Sequence, residues 1–186
     1  MNPRPISWGR VLEIEIRRSL GGAARIRNIV KHSLAINPNQ TDEMGDRPTF
    51  YVVIIYEDSG AGRRAKHFYD RIIKRLEDEC DFSLELWSFQ ALALPGIGNA
   101  AARAAAQADF VILSMHGKSE LSVETRDWIV SWSGLIANGK LALVALLDSR
   151  GTGRVSVAST LGYLRKVAEQ KNINFYAHTS SGPSTN

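Results

Sequence analysis

Two short stretches of the sequence combine carboxylates, glycines and arginines in an order that can bind an anion. Residues 57–64 read EDSGAGRR and residues 148–154 read DSRGTGR. Glycines let a ligand approach the backbone, amides at a helix start attract anions, and arginine pairs with phosphate. Both stretches are candidate phosphate-binding loops. Neither matches the dinucleotide fingerprint or the Walker sequence, so an ordinary strand-to-helix turn with solvated arginines is the alternative interpretation.

A third stretch, residues 114–120 (SMHGKSE), contains a histidine that can exchange protons or bind a ligand. No metal-ligand spacing or nucleophile motif accompanies His116, and a histidine hydrogen-bonded to a neighbouring loop is the alternative. The residues therefore identify no catalytic group and no cofactor. We expect no metal site.

The elements that must position these stretches follow from alternating apolar runs and helical patterns. Five apolar runs predict strands, and the segments between them carry apolar residues at helical spacing. This alternation predicts an α/β domain with a doubly wound, five-stranded parallel sheet in the order 2-1-3-4-5. The predicted strands are residues 50–56, 83–89, 109–113, 141–147 and 174–177, and the predicted helices are residues 64–79, 100–108, a segment capped by Ser122, and 155–171.

In such a sheet the loops after strands one, three and four meet at one edge, where ligands bind. Asp58, His116 and Asp148 are therefore expected near one another. The predicted ligand-binding residues are Ser59, Gly60, Gly62, Arg63, Ser114, His116, Asp148, Ser149 and Gly151.

Several local signals refine the predicted elements. One side of the second strand is less apolar than the other, and this predicts that the strand lies at an edge of the sheet. Residues 95–99 (PGIGN) predict a break that ends in the helix cap Asn99. Trp128 and Trp132 lie four residues apart, which favours packing against the sheet over a partner surface. Asn172 is expected to end the last helix.

The charge distribution limits the possible partners of the domain. Residues 1–35 hold seven basic and two acidic residues, whereas the rest of the chain holds 16 basic and 17 acidic residues. The net charge of +4 therefore belongs to the N-terminal segment, and the near-neutral domain carries no strong nucleic-acid signal. A single cysteine, no signal peptide and no transmembrane run predict a cytoplasmic protein.

The segment before the domain supports two interpretations. Residues 6–34 mix arginines with apolar residues, so a basic amphipathic segment at a membrane or nucleic-acid surface is one. The other is that translation starts at Met44 and that the preceding residues are an annotation artefact. We expect residues 1–48 to form a disordered basic extension and linker, residues 49–178 the domain, and residues 179–186 a disordered tail.

Residues 50–178, about seven-tenths of the chain, resemble response-regulator receiver domains, and more closely a group of bacterial receiver-like proteins with no characterised function. Glu57 and Asp58 match the acidic pair that holds magnesium in receivers, and residues 108–114 (ADFVILS) match the third receiver strand. Ser114 stands where receivers carry the phosphorylated aspartate. Because an unactivated serine is a poor replacement, the resemblance implies a receiver-like domain without conventional phosphotransfer.

Two further features bear on this resemblance. The receiver lysine after strand five is missing, since residues 177–179 (AHT) occupy its place. Flavodoxins share the strand order, and residues 59–62 (SGAG) lie roughly where their phosphate loop lies, but the threonine-rich flavodoxin pattern is absent. We therefore expect a non-enzymatic signalling or protein-interaction domain with a protein partner. The alternative is a protein or enzyme that binds a phosphorylated ligand or flavin with the three loops.

Overall fold

The computed structural model describes residues 47–117, 120–136, 141–148 and 154–180, and a strand lies at each of the five predicted apolar runs. The strands are β1 (Thr49–Tyr56), β2 (Asp81–Ser88), β3 (Phe110–His116), β4 (Ala142–Asp148) and β5 (Asn174–Ser180). All neighbouring strands are parallel, in the order β2-β1-β3-β4-β5. This confirms the predicted doubly wound sheet, whose strand order is the flavodoxin-like one.

The helices pack on the two faces of the sheet unequally. In the described part of the chain they are α1 (Ser59–Leu76), α2 (Phe89–Leu92), α3 (Pro95–Gln107), α4 (Val123–Gly134) and α5 (Arg154–Gln170). One apolar core joins α1 to one sheet face, and a second core joins the other four helices to the opposite face. Right-handed crossovers produce this division, because the chain moves one way from β1 to β2 and the other way afterwards.

The central strands are buried on both faces and the outer strands are not. Every residue of β4 and all but the last residue of β3 are buried, as their continuous apolar sequences predict. β2 lies at one edge of the sheet, and its Leu86 side chain is 46 % exposed. The predicted edge position of the second strand is therefore confirmed. β5 forms the other edge and extends to Ser180, beyond the predicted end at residue 177.

The first helix begins earlier than its apolar pattern predicts. α1 starts at Ser59 rather than at Arg64, because Asp58 caps it and accepts a hydrogen bond from the Ala61 amide at 2.8 Å. Gly62 lies inside this helix, where an added Cβ would come within 3.2 Å of the Tyr56 ring. The glycine at this position therefore permits close helix–strand packing instead of marking a loop.

The region between β2 and β3 also differs from the prediction. The predicted break at residues 95–99 is wrong: α3 begins at Pro95, because proline at the first helical position loses no needed amide bond. The short helix α2 is an unpredicted element, capped by Ser88, whose hydroxyl accepts from the Ala91 amide at 3.2 Å. Phe89 consequently belongs to a helix rather than to the second strand.

Other local predictions are confirmed. Ser122 caps α4, accepting from the Thr125 amide at 3.3 Å. Asn172 has a φ of 52° just beyond α5, the left-handed conformation in which asparagine commonly ends a helix. Trp128 and Trp132 are buried in the core, and the Trp128 Nε1 donates to the carbonyl oxygen of Gly98 at 3.1 Å. The tryptophan pair is therefore a packing stripe that joins α4 to α3.

Gly98 and Gly162 provide a matched test of this packing. A Cβ on Gly98 would lie 2.4 Å from the Leu92 carbonyl oxygen, whereas nothing described lies within 4 Å of a Cβ on Gly162. We expect Gly98→Ala to lower the free energy of unfolding by about 2 kcal/mol through overpacking. Gly162→Ala should raise it by up to about 1 kcal/mol through helix propensity. Urea denaturation measures both, and equal effects would contradict the close approach of α2 and α3.

Candidate functional site

The sheet register brings the exits of β1, β3 and β4 to one edge. Tyr56 pairs with Ser114, and His116 pairs with Asp148. Two backbone bonds continue this alignment beyond the strands: the Glu57 amide donates to the Ser114 carbonyl at 3.0 Å, and the Gly117 amide donates to the Asp148 carbonyl at 2.9 Å. The sequence predicted that the ends of strands one, three and four converge, and the structure brings the ends of β1, β3 and β4 together in this way.

Asp58 is the centre of this edge. One carboxylate oxygen accepts from the Ala61 amide at 2.8 Å, and the other lies 3.0 Å from the His116 Nε2. The hydrogen bond from the Ala61 amide is the main cause that lowers the pKa of Asp58. Burial opposes it, and the charge and hydrogen bond of His116 lower the pKa further. The position where the start of α1 would attract an external anion is therefore held by a carboxylate of the chain itself.

Glu57 ties the first strand to the third. Its Oε2 accepts from the His116 amide at 2.6 Å. Together with the contact between Asp58 and the His116 ring, this bond fixes both the backbone and the side chain of His116. His116 is thus a histidine bonded to a neighbouring loop, the simpler of the two sequence interpretations.

Ser114 does not face the edge. Its side chain is 0 % exposed, and its Oγ donates to the Ala61 carbonyl beneath α1 at 2.8 Å. The residue that aligns with the receiver phosphoacceptor is therefore a buried packing contact between β3 and α1. The sequence did not indicate this, because the early start of α1 places Ala61 directly over β3.

Asp148 is paired with a residue that the predicted ligand-binding set omitted. The Arg64 Nη1 lies 3.3 Å from the Asp148 Oδ2, and the Nη2 donates to the Met115 carbonyl at 2.9 Å. The two side chains are 19 % and 5 % exposed. Arg64 thus joins α1 to the ends of β3 and β4. The sequence contained a signal for this contact, since Arg64 lies four residues before the buried Phe68 and therefore on the same face of the helix.

The other predicted ligand-binding residues occupy different surroundings. Ser59 and Arg63 are exposed on the first turns of α1. A Cβ on Gly60 would lie 3.3 Å from the Asp58 Oδ1 and 3.9 Å from the His116 Nε2, so Gly60 lies directly beside this pair. Ser149 and Gly151 lie outside the described residues. The structure brings Gly60, Asp58 and His116 together and leaves Ser59 and Arg63 at the surface.

A cleft of about 420 Å³ opens beside His116, on the sheet face opposite α1. Its apolar floor includes Phe89, Met115 and Leu121, which come from α2, β3 and the segment before α4. The sequence prediction missed this cleft because it did not include α2. The lining residues are Glu57, Phe89, Gln90, Ala93, Met115, His116, Glu120, Leu121, Ser122 and Glu124.

The rim of the cleft is acidic. The Glu124 pKa is lowered by the amide of its own residue and then by the Ser122 hydroxyl, so this carboxylate stays ionised near neutral pH. Glu120 accepts from the Arg126 Nη2 at 2.8 Å and from the Ser159 hydroxyl at 3.2 Å. Within the described ranges, no group of three His, Cys, Asp or Glu side chains is arranged to hold a metal ion.

Two solved structures resemble this chain in fold. The structure of the Trp repressor binding protein from Bacillus subtilis is 8 % identical, with a TM-score of 0.46, over 72 % of this chain and 86 % of that chain. A flavodoxin from Streptococcus pneumonia TIGR4 is 11 % identical, with a TM-score of 0.48, over 71 % of this chain and 86 % of that chain. No protein-family model and no curated protein matches the chain.

Among the helices that the structure describes, none is both long and apolar enough to cross a membrane.

The role of Asp58 as cap and ion-pair partner can be measured. Asp58→Ala should lower the free energy of unfolding by about 1 kcal/mol, the usual cost of losing a helix cap. Asp58→Asn keeps a capping oxygen but loses the charge, so its cost should be smaller. Chemical denaturation at neutral pH measures both variants against the unaltered chain.

The same variants have a defined pH dependence. The pKa of Asp58 lies below its ordinary value of 3.8 in the folded chain, so its charge stabilises the fold above that value. This stabilisation is lost as the pH falls through the lowered folded pKa. The stability difference between the unaltered chain and Asp58→Asn should therefore close in acid. A difference that stays constant with pH would contradict the assigned interactions of the carboxylate.

Proposed function

We propose that this flavodoxin-like domain is a non-enzymatic, receiver-like signalling or interaction module of the bacterial cytoplasm, which binds a protein partner at its carboxyl edge. The observation that carries the proposal is the position of Asp58. Its carboxylate already accepts a hydrogen bond from the Ala61 amide in the first turn of α1, and it also contacts the ring of His116. A phosphate at this position would have to displace a negative charge that the chain itself supplies.

The absence of a phosphotransfer role is supported by Ser114. Its hydroxyl is buried and donates to the Ala61 carbonyl, so an incoming phosphoryl group would have to lift α1 from β3. No general base contacts this hydroxyl in the described structure, and an unactivated serine is a weak nucleophile. A receiver-like domain of this kind acts through what binds to it rather than through chemistry of its own.

The chemistry of the partner follows from the cleft. Its apolar floor and the carboxylates of Glu57 and Glu124 favour a basic side chain whose aliphatic stem packs against Phe89. We therefore propose that the partner presents a lysine or arginine flanked by apolar residues. Charge complementarity of this type adds specificity and association rate more than affinity.

A second candidate function is binding of a small molecule, and the volume of the cleft favours it. About 420 Å³ lies within the range of pockets that hold small ligands. The acidic rim favours a neutral or cationic ligand over a phosphorylated ligand or a flavin phosphate. Flavin binding is the form of this alternative that is simplest to test.

FMN should not stabilise the purified full-length protein. A ligand present at 100 times its Kd raises the free energy of unfolding by about 2.7 kcal/mol, which thermal denaturation detects readily. We expect no change in Tm with excess FMN and no yellow colour, while a flavodoxin measured alongside gains stability. A saturable rise in Tm, or flavin retained through purification, would replace the first proposal with the second.

Photo-crosslinking in cells tests the partner proposal. Gln90 is exposed at the cleft and Lys166 is exposed on α5, away from the cleft lining. A photoreactive amino acid at position 90 should give a discrete protein adduct, whereas the same group at position 166 serves as the control. Combining Glu124→Gln with the position 90 probe should weaken the adduct, because the proposed basic contact is lost. Equal labelling at both positions would argue against the cleft as a binding site.

A further inference from the structure

The sheet face that carries α1 has more buried surface than α1 accounts for. α1 packs mainly on β1 and β3 and reaches the end of β4 through Arg64, and no other described helix contributes to this core. Yet Val144 and Leu146, one strand further along on β4, are only 2 % and 1 % exposed. Tyr176 on the outermost strand β5 packs into the same core. Something besides the described helices must cover β4 and β5 here.

The surroundings of His178 also indicate that the α1 face is covered at the edge of the sheet. It pairs in register with Leu146, which places it on the α1 face of β5. Burial is the main cause that lowers the pKa of His178, and the positive charge of Arg71 on α1 adds to it. His178 is half-buried although it lies on the outermost strand, so this face of β5 is partly covered.

Only one part of the remaining sequence has the side chains to cover this face. Residues 118–119 (KS), 137–140 (ANGK), 149–153 (SRGTG) and 181–186 (SGPSTN) contain no large apolar residue. Residues 1–46 contain many, among them Val11, Leu12, Ile14, Ile16 and Leu20. We propose that residues 6–34 of the same chain dock on the α1 face of β4 and β5 and complete the second layer of the sheet.

The chain geometry permits this placement. The N-terminal segment joins the sheet at Pro48, whose carbonyl accepts from the Asp81 amide at 3.0 Å. Neighbouring strands are about 4.8 Å apart, so β5 lies three strand spacings, or about 14 Å, from β1. Residues 37–46 can span about 33 Å when extended, which exceeds the distance required.

Docking gives the N-terminal segment a structural role that differs from both sequence interpretations. In a helix, Leu12, Ile16 and Leu20 would share the face toward the sheet, and Arg10, Arg17 and Arg18 would lie on the outer side. A chain that began at Met44 would leave Val144, Leu146 and Tyr176 uncovered. Such an apolar surface favours association or aggregation.

The proposal is tested in the full-length chain with a specific protease site inserted between Asn39 and Gln40. After cleavage, the fragment ending at Asn39 should co-elute with the remainder on size exclusion, in a 1:1 ratio. Leu12→Asp combined with Ile16→Asp should weaken the retained complex by more than about tenfold, because two apolar contacts are lost. Arg17→Gln combined with Arg18→Gln is the matched control and should leave the fragment bound.

Matched substitutions on the sheet test the other side of the contact. Tyr176→Asp, on the proposed docking face, should release the cleaved fragment, whereas Thr179→Asp, exposed on the opposite face of β5, should retain it. Light scattering of the uncut chain should give a monomer of 20.5 kDa. Release of the fragment from an otherwise unaltered, folded chain would overturn the proposal. A dimer whose cleaved fragment dissociates would also overturn it and would identify a second copy as the cover.

Discussion

The contact of the Asp58 carboxylate with the first turn of α1 is the interaction on which the carboxyl edge depends. It sets the first residue of the helix and thereby extends α1 over residues 59–63, which brings Ala61 onto β3. Ser114 then lies beneath Ala61, and Arg64 reaches Asp148 and the Met115 carbonyl. Ala61 and Arg64 lie three residues apart and therefore on the same face of α1, the face that packs on the sheet.

On the α1 side of the edge, donors of the chain itself therefore compensate the carboxylates. Asp58 and Asp148 each accept from a donor on α1. These contacts hold the end of β4 and the start of α1 together, since buried or partly buried charges are stabilised by such partners. The cleft on the opposite side of the sheet retains an acidic rim over an apolar floor, which makes it the stronger candidate for recognition of a partner.

The strand order followed from the sequence because it depends on long apolar runs and on the handedness of crossovers, both of which are strong signals. The convergence of Asp58, His116 and Asp148 followed from that order. The start of α1 did not, because Gly60 and Gly62 have low helix propensity and masked the Asp58 cap. α2 has four residues, too few to show a period, so the floor of the cleft was missed with it. The burial of Ser114 depends on tertiary packing that a single strand pattern does not contain.

The central claim is that the first-turn amides of α1 are occupied by Asp58, and NMR tests it most directly. The amide resonance of Ala61 should not move when inorganic phosphate is titrated into the full-length protein at neutral pH. The same resonance should shift when acid protonates Asp58 and weakens the hydrogen bond. A saturable shift of the Ala61 amide with phosphate at neutral pH would contradict the account, because it would show that the start of α1 accepts an external anion.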